Sequence, residues 1–192
     1  MPEDNREFEH KARLSIDDLD IEPFLETHQV QAFDCGNKAL NDFLSTEEVR
    51  KYEHERVGRS YLVFHKSDLA AYFTVSQGGL RTEYLKTWKS FSRMAEMRLD
   101  AIPALTIGRL AVDVRYQKRG VGRALINFIA GMALEAQGKI AVRLIVLQAK
   151  PASVDFYKKC GFELTVETKR ERRRLNRTMF LDLAALELLR SV

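Results

Sequence analysis

The 192-residue sequence predicts an α/β fold in which a mixed β-sheet is flanked by helices. Strand and helix patterns alternate in the second half of the chain, which is typical of parallel strands joined by helical crossings. The run AVRLIVL at 141–147 is almost entirely apolar, as expected of a strand covered on both faces. In the first half, two β-rich runs are separated only by the polar segment HKSD, which predicts an antiparallel hairpin.

The first half is predicted to contain a strand, a helix and this hairpin. The segment ARLSIDDLDIEPFL predicts a strand followed by a turn. After the start signal at 34–37, apolar residues from Phe33 to Val49 recur at helical spacing and predict one long helix. The hairpin strands are predicted at 60–64 and 69–76. The charged segment 81–100 predicts a helix or irregular structure.

The second half gives clearer boundaries. ALTIGRLAV at 104–112 predicts a strand, and apolar residues from Val121 to Ala136 mark one face of a helix that stops at Gly138. After the strand at 141–147, a short helix is predicted from Pro151 to Lys159. Phe162 opens a further strand, TMFLDL forms the last one, and the tail is helical.

Composition limits the classes of protein to consider. With 45% hydrophobic and 30% charged residues, the chain predicts one globular domain over 1–192. No apolar run approaches the roughly 18 residues that span a bilayer, and the polar amino terminus lacks a signal-peptide pattern. Cys35 and Cys160 have no metal-ligand spacing. We therefore expect a cytoplasmic protein with reduced thiols, no membrane and no metal.

The sharpest motif is the loop QKRGVG at 117–122, between a strand and a helix. The amino terminus of a helix exposes unpaired N–H groups and binds anions, and glycines let a phosphate approach the backbone. Lys118, Arg119 and Arg123 add positive charge, so the loop predicts a phosphate-rich ligand. Leu125 replaces the third glycine of a dinucleotide fingerprint, and the nucleotide P-loop pattern is absent.

The pattern Q-x-x-G-x-G after a strand resembles the acyl-CoA loop of the GNAT superfamily of N-acetyltransferases. GRLAVDVRYQKRGVGRALI and LIVLQAKPASVDFYKKCGF match two successive segments of that superfamily in order and spacing, and the similarity covers about 104–183. The resemblance implies the GNAT fold, acetyl-CoA as cosubstrate and direct acetyl transfer to an amine.

The resemblance also implies individual site residues. Backbone groups at 110–112 would bind the pantetheine arm, the main chain at 119–122 with Gln117 would hold the pyrophosphate, and Arg123 would cap it. The implied coenzyme-binding residues are Leu110, Ala111, Val112, Gln117, Lys118, Arg119, Gly120, Val121, Gly122, Arg123 and Ser153.

Tyr157 matches the superfamily tyrosine that protonates the departing thiolate, and the alternative is an aromatic residue packed against the core. Lys150 departs from the family pattern, which often has asparagine there and uses its amide on the coenzyme. The general base stays open, and the candidates are Asp113, Glu83, Glu96, His54 and His65.

The front half suggests an acceptor. FDCGNKALNDFL, GRSYLVF and the Ile102-Pro103 turn resemble the GNAT toxins of toxin–antitoxin pairs. That resemblance implies acetylation of the aminoacyl amine on charged tRNA, a homodimer and a small antitoxin protein as partner. The alternatives are a housekeeping GNAT acting on a small amine, a peptide amino terminus or a protein lysine, and a non-catalytic acyl-CoA- or RNA-binding module.

The basic run KRERRRLNR at 169–177 could follow an RNA backbone, or could be a solvated loop. It is longer and more basic than the connection typical of the toxin group. The candidate RNA-binding residues are Arg170, Arg172, Arg173 and Arg174.

Overall fold

Seven strands form one mixed sheet, as the sequence predicts. The computed structural model describes residues 12–85, 97, 99–165 and 175–190. The strands are β1 (Asp20–Pro23), β2 (Arg59–His65), β3 (Asp68–Arg81), β4 (Ala101–Val112), β5 (Leu144–Ala149), β6 (Glu163–Leu164) and β7 (Arg177–Asp182). The helices are α1 (Lys38–Ser45), α2 (Glu47–His54), α3 (Val121–Ala136), α4 (Val154–Lys159) and α5 (Leu183–Arg190).

The strand order is β1-β2-β3-β4-β5-β7-β6. Within this sheet, only β4 and β5 are parallel, and α3 connects them. Every other neighbouring pair is antiparallel, including the predicted β2–β3 hairpin. The predicted mixed sheet with flanking helices is therefore confirmed.

The two faces of the sheet are covered by different helices. One face packs Phe73, Ile107 and Ile145 against Leu125 and Ile129 of α3, and we call it the α3 face. The other face, the α1/α2 face, packs alternate strand residues such as Leu62 and Tyr72 against Phe43 and Leu44. Burial of apolar area on both faces, at about 25 cal/mol per Å², is the main term that holds the layers together.

The single long helix predicted in the front half is wrong, because the chain breaks at Thr46. This residue has extended dihedrals, and its hydroxyl accepts a hydrogen bond from the N–H of Glu48. Its own N–H donates to the carbonyl of Asp42 and closes α1. The first N–H groups of a helix have no acceptor within that helix, and the Thr46 hydroxyl supplies one for α2. Two short helices therefore replace one long helix.

The amino-terminal segment has the predicted elements in the reverse order. A 3-10 turn at Ile16–Asp18 comes first, and β1 follows it. Asp18 accepts hydrogen bonds from the N–H and the hydroxyl of Ser15, which close the turn. In the second half, β5 begins three residues later than predicted, because Arg143 bonds outside the ladder, to Pro103 and Asp182.

Most of the 81–100 segment lies outside the described residues; its beginning, Thr82–Tyr84, is a 3-10 turn. Within the part of the chain that the structure describes, no helix combines the length and the apolar character that a membrane span requires.

Candidate active site

The parallel strands β4 and β5 separate part-way along their length. Their ladder extends only over 104–107 of β4 and 144–147 of β5. Beyond it, β4 continues to Val112 beside β3, while β5 continues to Ala149 beside β7. Among the described residues, the β4 backbone from 108 to 112 thus has no strand partner on its β5 side. Such an open edge can accept an extended ligand by strand-like hydrogen bonding.

A β-bulge at Gly108 decides which side chains face this opening. Thr74 of β3 is opposite Arg109, but the next β3 residue is opposite Ile107, so Gly108 is one extra residue. A one-residue insertion reverses the faces of the residues that follow it. Leu110 consequently lines a cavity on the α3 face, and the guanidinium of Arg109 lies over aromatic rings on the α1/α2 face.

A cavity of about 820 Å³ opens between the separated strands, and we call it the wedge cavity. It brings together most of the predicted coenzyme residues with Tyr157, from three elements far apart in sequence. Its lining consists of Arg13, Leu110, Val112, Tyr116, Gln117, Lys118, Gly120, Gly122, Arg123, Ala152, Ser153, Phe156 and Tyr157.

Three of the predicted coenzyme residues do not line the wedge cavity. The side chain of Ala111 is buried on the α1/α2 face, and that of Val121 is in the core beneath α3. Arg119 donates from Nε to the carbonyl of Ala12, 3.0 Å away. A contribution of these residues to a ligand would therefore have to come from their main-chain groups.

The glycine loop presents unpaired amides to the wedge cavity. The first bond of α3 runs from the N–H of Ala124 to the carbonyl of Gly120, so the amides of Val121, Gly122 and Arg123 have no acceptor within the helix. No side chain of the described residues caps this end. Gly120 has φ +92°, a conformation that side chains disfavour. The loop is thus shaped as an anion site.

Two predicted ligand residues also make bonds within the protein. The side-chain amide of Gln117 donates to the carbonyls of Cys35 and Val112, at 3.0 and 2.9 Å. It therefore ties the loop to the end of β4. Arg123 donates to the carbonyl of Lys159 at 2.6 Å and links the start of α3 to the end of α4. Both residues hold the cavity walls in place.

Tyr157 lies in an aromatic cluster at the other wall. Its ring makes edge-to-face contacts with Phe156 and Phe162, at centroid distances of 5.1 and 5.6 Å. Burial raises the pKa of Tyr157 to about 12, so the phenol is protonated at neutral pH. A protonated phenol can donate a proton and cannot act as a base. Burial likewise raises the pKa of the Cys160 thiol, which disfavours a thiolate there.

Asp113, a candidate base, has a structural role at the end of β4. It accepts hydrogen bonds from the N–H and guanidinium of Arg115 and from the N–H of Asp34. Burial opposes its ionisation, but these bonds outweigh burial and hold the pKa of Asp113 below its usual range. A carboxylate so occupied is a poor proton acceptor.

Of the remaining candidate bases, His65, His54 and Glu83 are described by the structure, and they do not line the wedge cavity. His65 packs against Tyr116. His54 and Glu83 are exposed and pair with Glu55 and Arg81. Glu96, the last candidate, is outside the described residues, as are the predicted RNA-binding residues Arg170, Arg172, Arg173 and Arg174.

Two residues near the opening were not predicted from the sequence. Arg13 lies against Gly120, because the N–H of Leu14 donates to Arg119 and fixes the amino-terminal segment on the loop. Nothing in the sequence pattern indicated this contact. The sequence could have indicated Arg109, because it is the single charged residue in the otherwise mostly apolar strand ALTIGRLAV.

Comparison with known proteins agrees with this geometry. The sequence model of the acetyltransferase (GNAT) domain family matches residues 87–164, which include the open edge of β4, the glycine loop and Tyr157. Over these residues the chain is similar to GNAT acetyltransferases, and its seven-stranded mixed sheet has the GNAT fold. The matched residues therefore include both the point where β4 and β5 separate and the glycine loop beside it.

Three known proteins are similar to most of the chain. A tRNA-acetylating toxin of Mycobacterium tuberculosis is 23% identical over 142 residues, which are 73% of this chain and 81% of the toxin. AtaT, solved with acetyl-methionyl-tRNAfMet, is 26% identical with a TM-score of 0.75, covering 90% of this chain and 99% of that one. A tyrosine-to-phenylalanine mutant of KacT is 22% identical with a TM-score of 0.76, at the same coverage, and shows the shared fold.

No cluster of three or more His, Cys, Asp or Glu side chains that could hold a metal occurs among the residues that the structure describes.

Proposed function

We propose that this protein transfers the acetyl group of acetyl-CoA to the α-amine of an aminoacyl-tRNA. One observation carries the proposal: the wedge cavity joins an unpaired strand edge, a loop of free amides and a protonated tyrosine. Those are a site for an extended amide-bearing arm, a site for phosphates and a proton donor. The similarity to AtaT, solved with acetyl-methionyl-tRNAfMet, supports charged tRNA as the acceptor.

In the proposed reaction, the coenzyme supplies an activated acetyl thioester. The open edge of β4 at 110–112 would hold the pantetheine arm, and the amides at 121–123 would hold the pyrophosphate. The acceptor amine attacks the thioester carbonyl and forms a C–N bond. As the C–S bond breaks, Tyr157 donates its phenolic proton to the sulfur, which leaves as a neutral thiol. The proton that the amine loses passes to the phenolate or to water.

An α-amine suits this site because its pKa is low. Among the described candidates for a base, Asp113 is occupied and the others do not line the wedge cavity, so the described site offers no evident group to deprotonate a lysine amine near pKa 10.4. An α-amine with a pKa near 8 is partly neutral at physiological pH without such help. The geometry therefore favours an α-amine over a protein lysine as acceptor.

We also propose that the basic run at 169–177 binds the tRNA backbone. Replacing the four candidate arginines by serine should weaken tRNA binding and reduce the slope of log affinity against log salt by up to about 3.6, at about 0.9 for each phosphate no longer neutralised. An unchanged salt slope in a binding titration would leave the run as a solvated loop. The variant carries Arg170→Ser, Arg172→Ser, Arg173→Ser and Arg174→Ser.

The partners follow from the same similarity. AtaT has been solved with the carboxyl terminus of its antitoxin AtaR, at 25% identity to this chain and a TM-score of 0.70. We propose a small antitoxin partner, a homodimeric assembly, a single domain over 1–192 and a cytoplasmic location, where charged tRNA is found. Sedimentation of the purified protein tests the dimer, and growth arrest on expression tests the toxic role.

The deciding experiment uses labelled acetyl-CoA with a charged tRNA pool and, in parallel, with polyamines, peptides and free amino acids. Label on aminoacyl-tRNA that is lost in Tyr157→Phe is the expected result. Label only on a small amine or peptide would instead identify a housekeeping acetyltransferase. Binding of acetyl-CoA without transfer to any acceptor would identify a non-catalytic module.

A further inference from the structure

A cation lies on the α1/α2 face at the point where β4 leaves β5. The guanidinium carbon of Arg109 is 3.5 Å from the ring centre of Phe43 and 5.2 Å from that of Tyr52. The bulge at Gly108 puts the side chain on this face, opposite to Leu110 and the wedge cavity. Arg109 therefore marks the side of the opening that the coenzyme does not use.

Within the described residues, no carboxylate forms an ion pair with the half-buried Arg109. Arg143, just before β5, is by contrast paired with Asp182 at 2.8 Å. Aromatic faces can hold a guanidinium by cation–π attraction while its N–H donors stay available. A half-buried cation held without an anion is suited to receive one from a ligand.

Two buried hydroxyls lie in the same row of the sheet as Arg109. Ser60, Thr74 and Arg109 are cross-strand neighbours across β2, β3 and β4. The hydroxyls of Ser60 and Thr74 are fully buried and find no hydrogen-bond partner within the described part of the chain. Buried polar groups are rarely left unpaired without a functional reason. Gly108 leaves space beside the Thr74 hydroxyl, because a Cβ at Gly108 would be 2.9 Å from that oxygen.

We propose that Arg109 binds the phosphate on the 5′ side of the terminal nucleoside of the aminoacyl-tRNA, and so fixes the aminoacyl ester at the opening between β4 and β5. This assignment rests on the proposed function. The aminoacyl group is esterified to that nucleoside, so its nearest anion is this phosphodiester. A guanidinium binds phosphate through two parallel N–H···O bonds, which fix orientation as well as distance. Arg109 is then a specificity-determining residue for a nucleotide-borne amine.

The test compares two acceptors that share one aminoacyl group. One is an aminoacylated RNA minihelix, and the other is the same aminoacyl ester on a nucleoside without phosphate. In Arg109→Gln, KM for the minihelix should rise roughly 10- to 100-fold, the range expected for hydrogen bonds to a charged group. KM for the nucleoside, acetyl-CoA affinity and the melting temperature should not change. Arg109→Lys should recover part of the loss.

Arg50→Gln is the matched control, because Arg50 is an α2 arginine already paired with Glu47. It should leave both KM values unchanged. Equal losses on both acceptors in Arg109→Gln would mean that Arg109 only supports packing, and no loss on either would remove it from the acceptor site. If the wild-type enzyme acetylates neither aminoacyl acceptor, the proposed function fails and this assignment fails with it.

Discussion

Replacing Gly120 by alanine should destabilise the protein, although alanine has the highest propensity of any residue inside a helix. Gly120 precedes α3 with φ +92° and ψ −13°. A Cβ there would lie 3.1 Å from the carbonyl oxygen of Leu14 and 3.2 Å from Cγ of Arg13. The nearest obstacle is backbone, so it cannot move away as a flexible side chain would. The added methyl must displace the amino-terminal segment or distort the loop.

The expected loss of stability can be worked out from the backbone strain that alanine would carry at this φ. A non-glycine residue held at such a φ costs about 1–3 kcal/mol. For a protein of this length, 1 kcal/mol shifts the melting temperature by roughly 2–4 °C. Gly120→Ala should therefore lower the melting temperature by about 2–12 °C. Acetyl-CoA affinity should fall by about tenfold or more, because distortion of the loop misaligns the amides at 121–123.

Gly131→Ala is the matched control, because it adds the same methyl to the same helix. Gly131 has no atom of the described residues within 4 Å of its added Cβ. Alanine should stabilise that position by about 0.5–1 kcal/mol. Scanning fluorimetry with and without acetyl-CoA, together with calorimetric titration, measures both variants. A melting temperature of Gly120→Ala at or above that of the wild type would refute the account of the loop.

Three further predictions concern the site. Tyr157→Phe should lower kcat by about 100-fold with little change in coenzyme affinity, and equal turnover would make Tyr157 structural. Because the pKa of Tyr157 is about 12, ionisation of the phenol should not reduce wild-type turnover below about pH 10; an alkaline loss near pH 8 that is absent in Tyr157→Phe would contradict this. Asp113→Asn should lower the melting temperature most above about pH 5. The lowered folded-state pKa of Asp113 stabilises the fold above its unfolded value of about 3.9, and this contribution is lost as pH falls through the folded value. A pH-independent difference in melting temperature would contradict it.

The glycine loop before α3 could be predicted because its signals are local. The helix start after Gly120 and the glycines at 120 and 122 belong to one continuous stretch, and anion binding at a helix terminus needs nothing further. The pairing of this loop with Tyr157 came from family resemblance, and the wedge cavity contains both. Spacing alone could not have placed them in one cavity.

The positions of Arg109 and Arg13 and the break between α1 and α2 depended on contacts that the sequence pattern does not show. A pattern with a period of two puts Arg109 on the same face as Ile107, and only the bulge at Gly108 turns it to the opposite face. The break at Thr46 also escaped prediction, since apolar spacing continues through it and the hydroxyl cap depends on a single side chain. The contact of Arg13 with Gly120 joins segments more than a hundred residues apart.

Local patterns in the chain were enough to define most of the strands and helices, the buried strand β5 and a glycine loop at the start of a helix, because periodicity and backbone chemistry act over a few neighbouring residues. Three-dimensional packing set where β4 leaves β5, which face Arg109 occupies and which hydrogen bonds Gln117 and Asp113 make. Those features follow from strand register, a one-residue bulge and long-range contacts, and each depends on the packing of the whole sheet rather than on local preference.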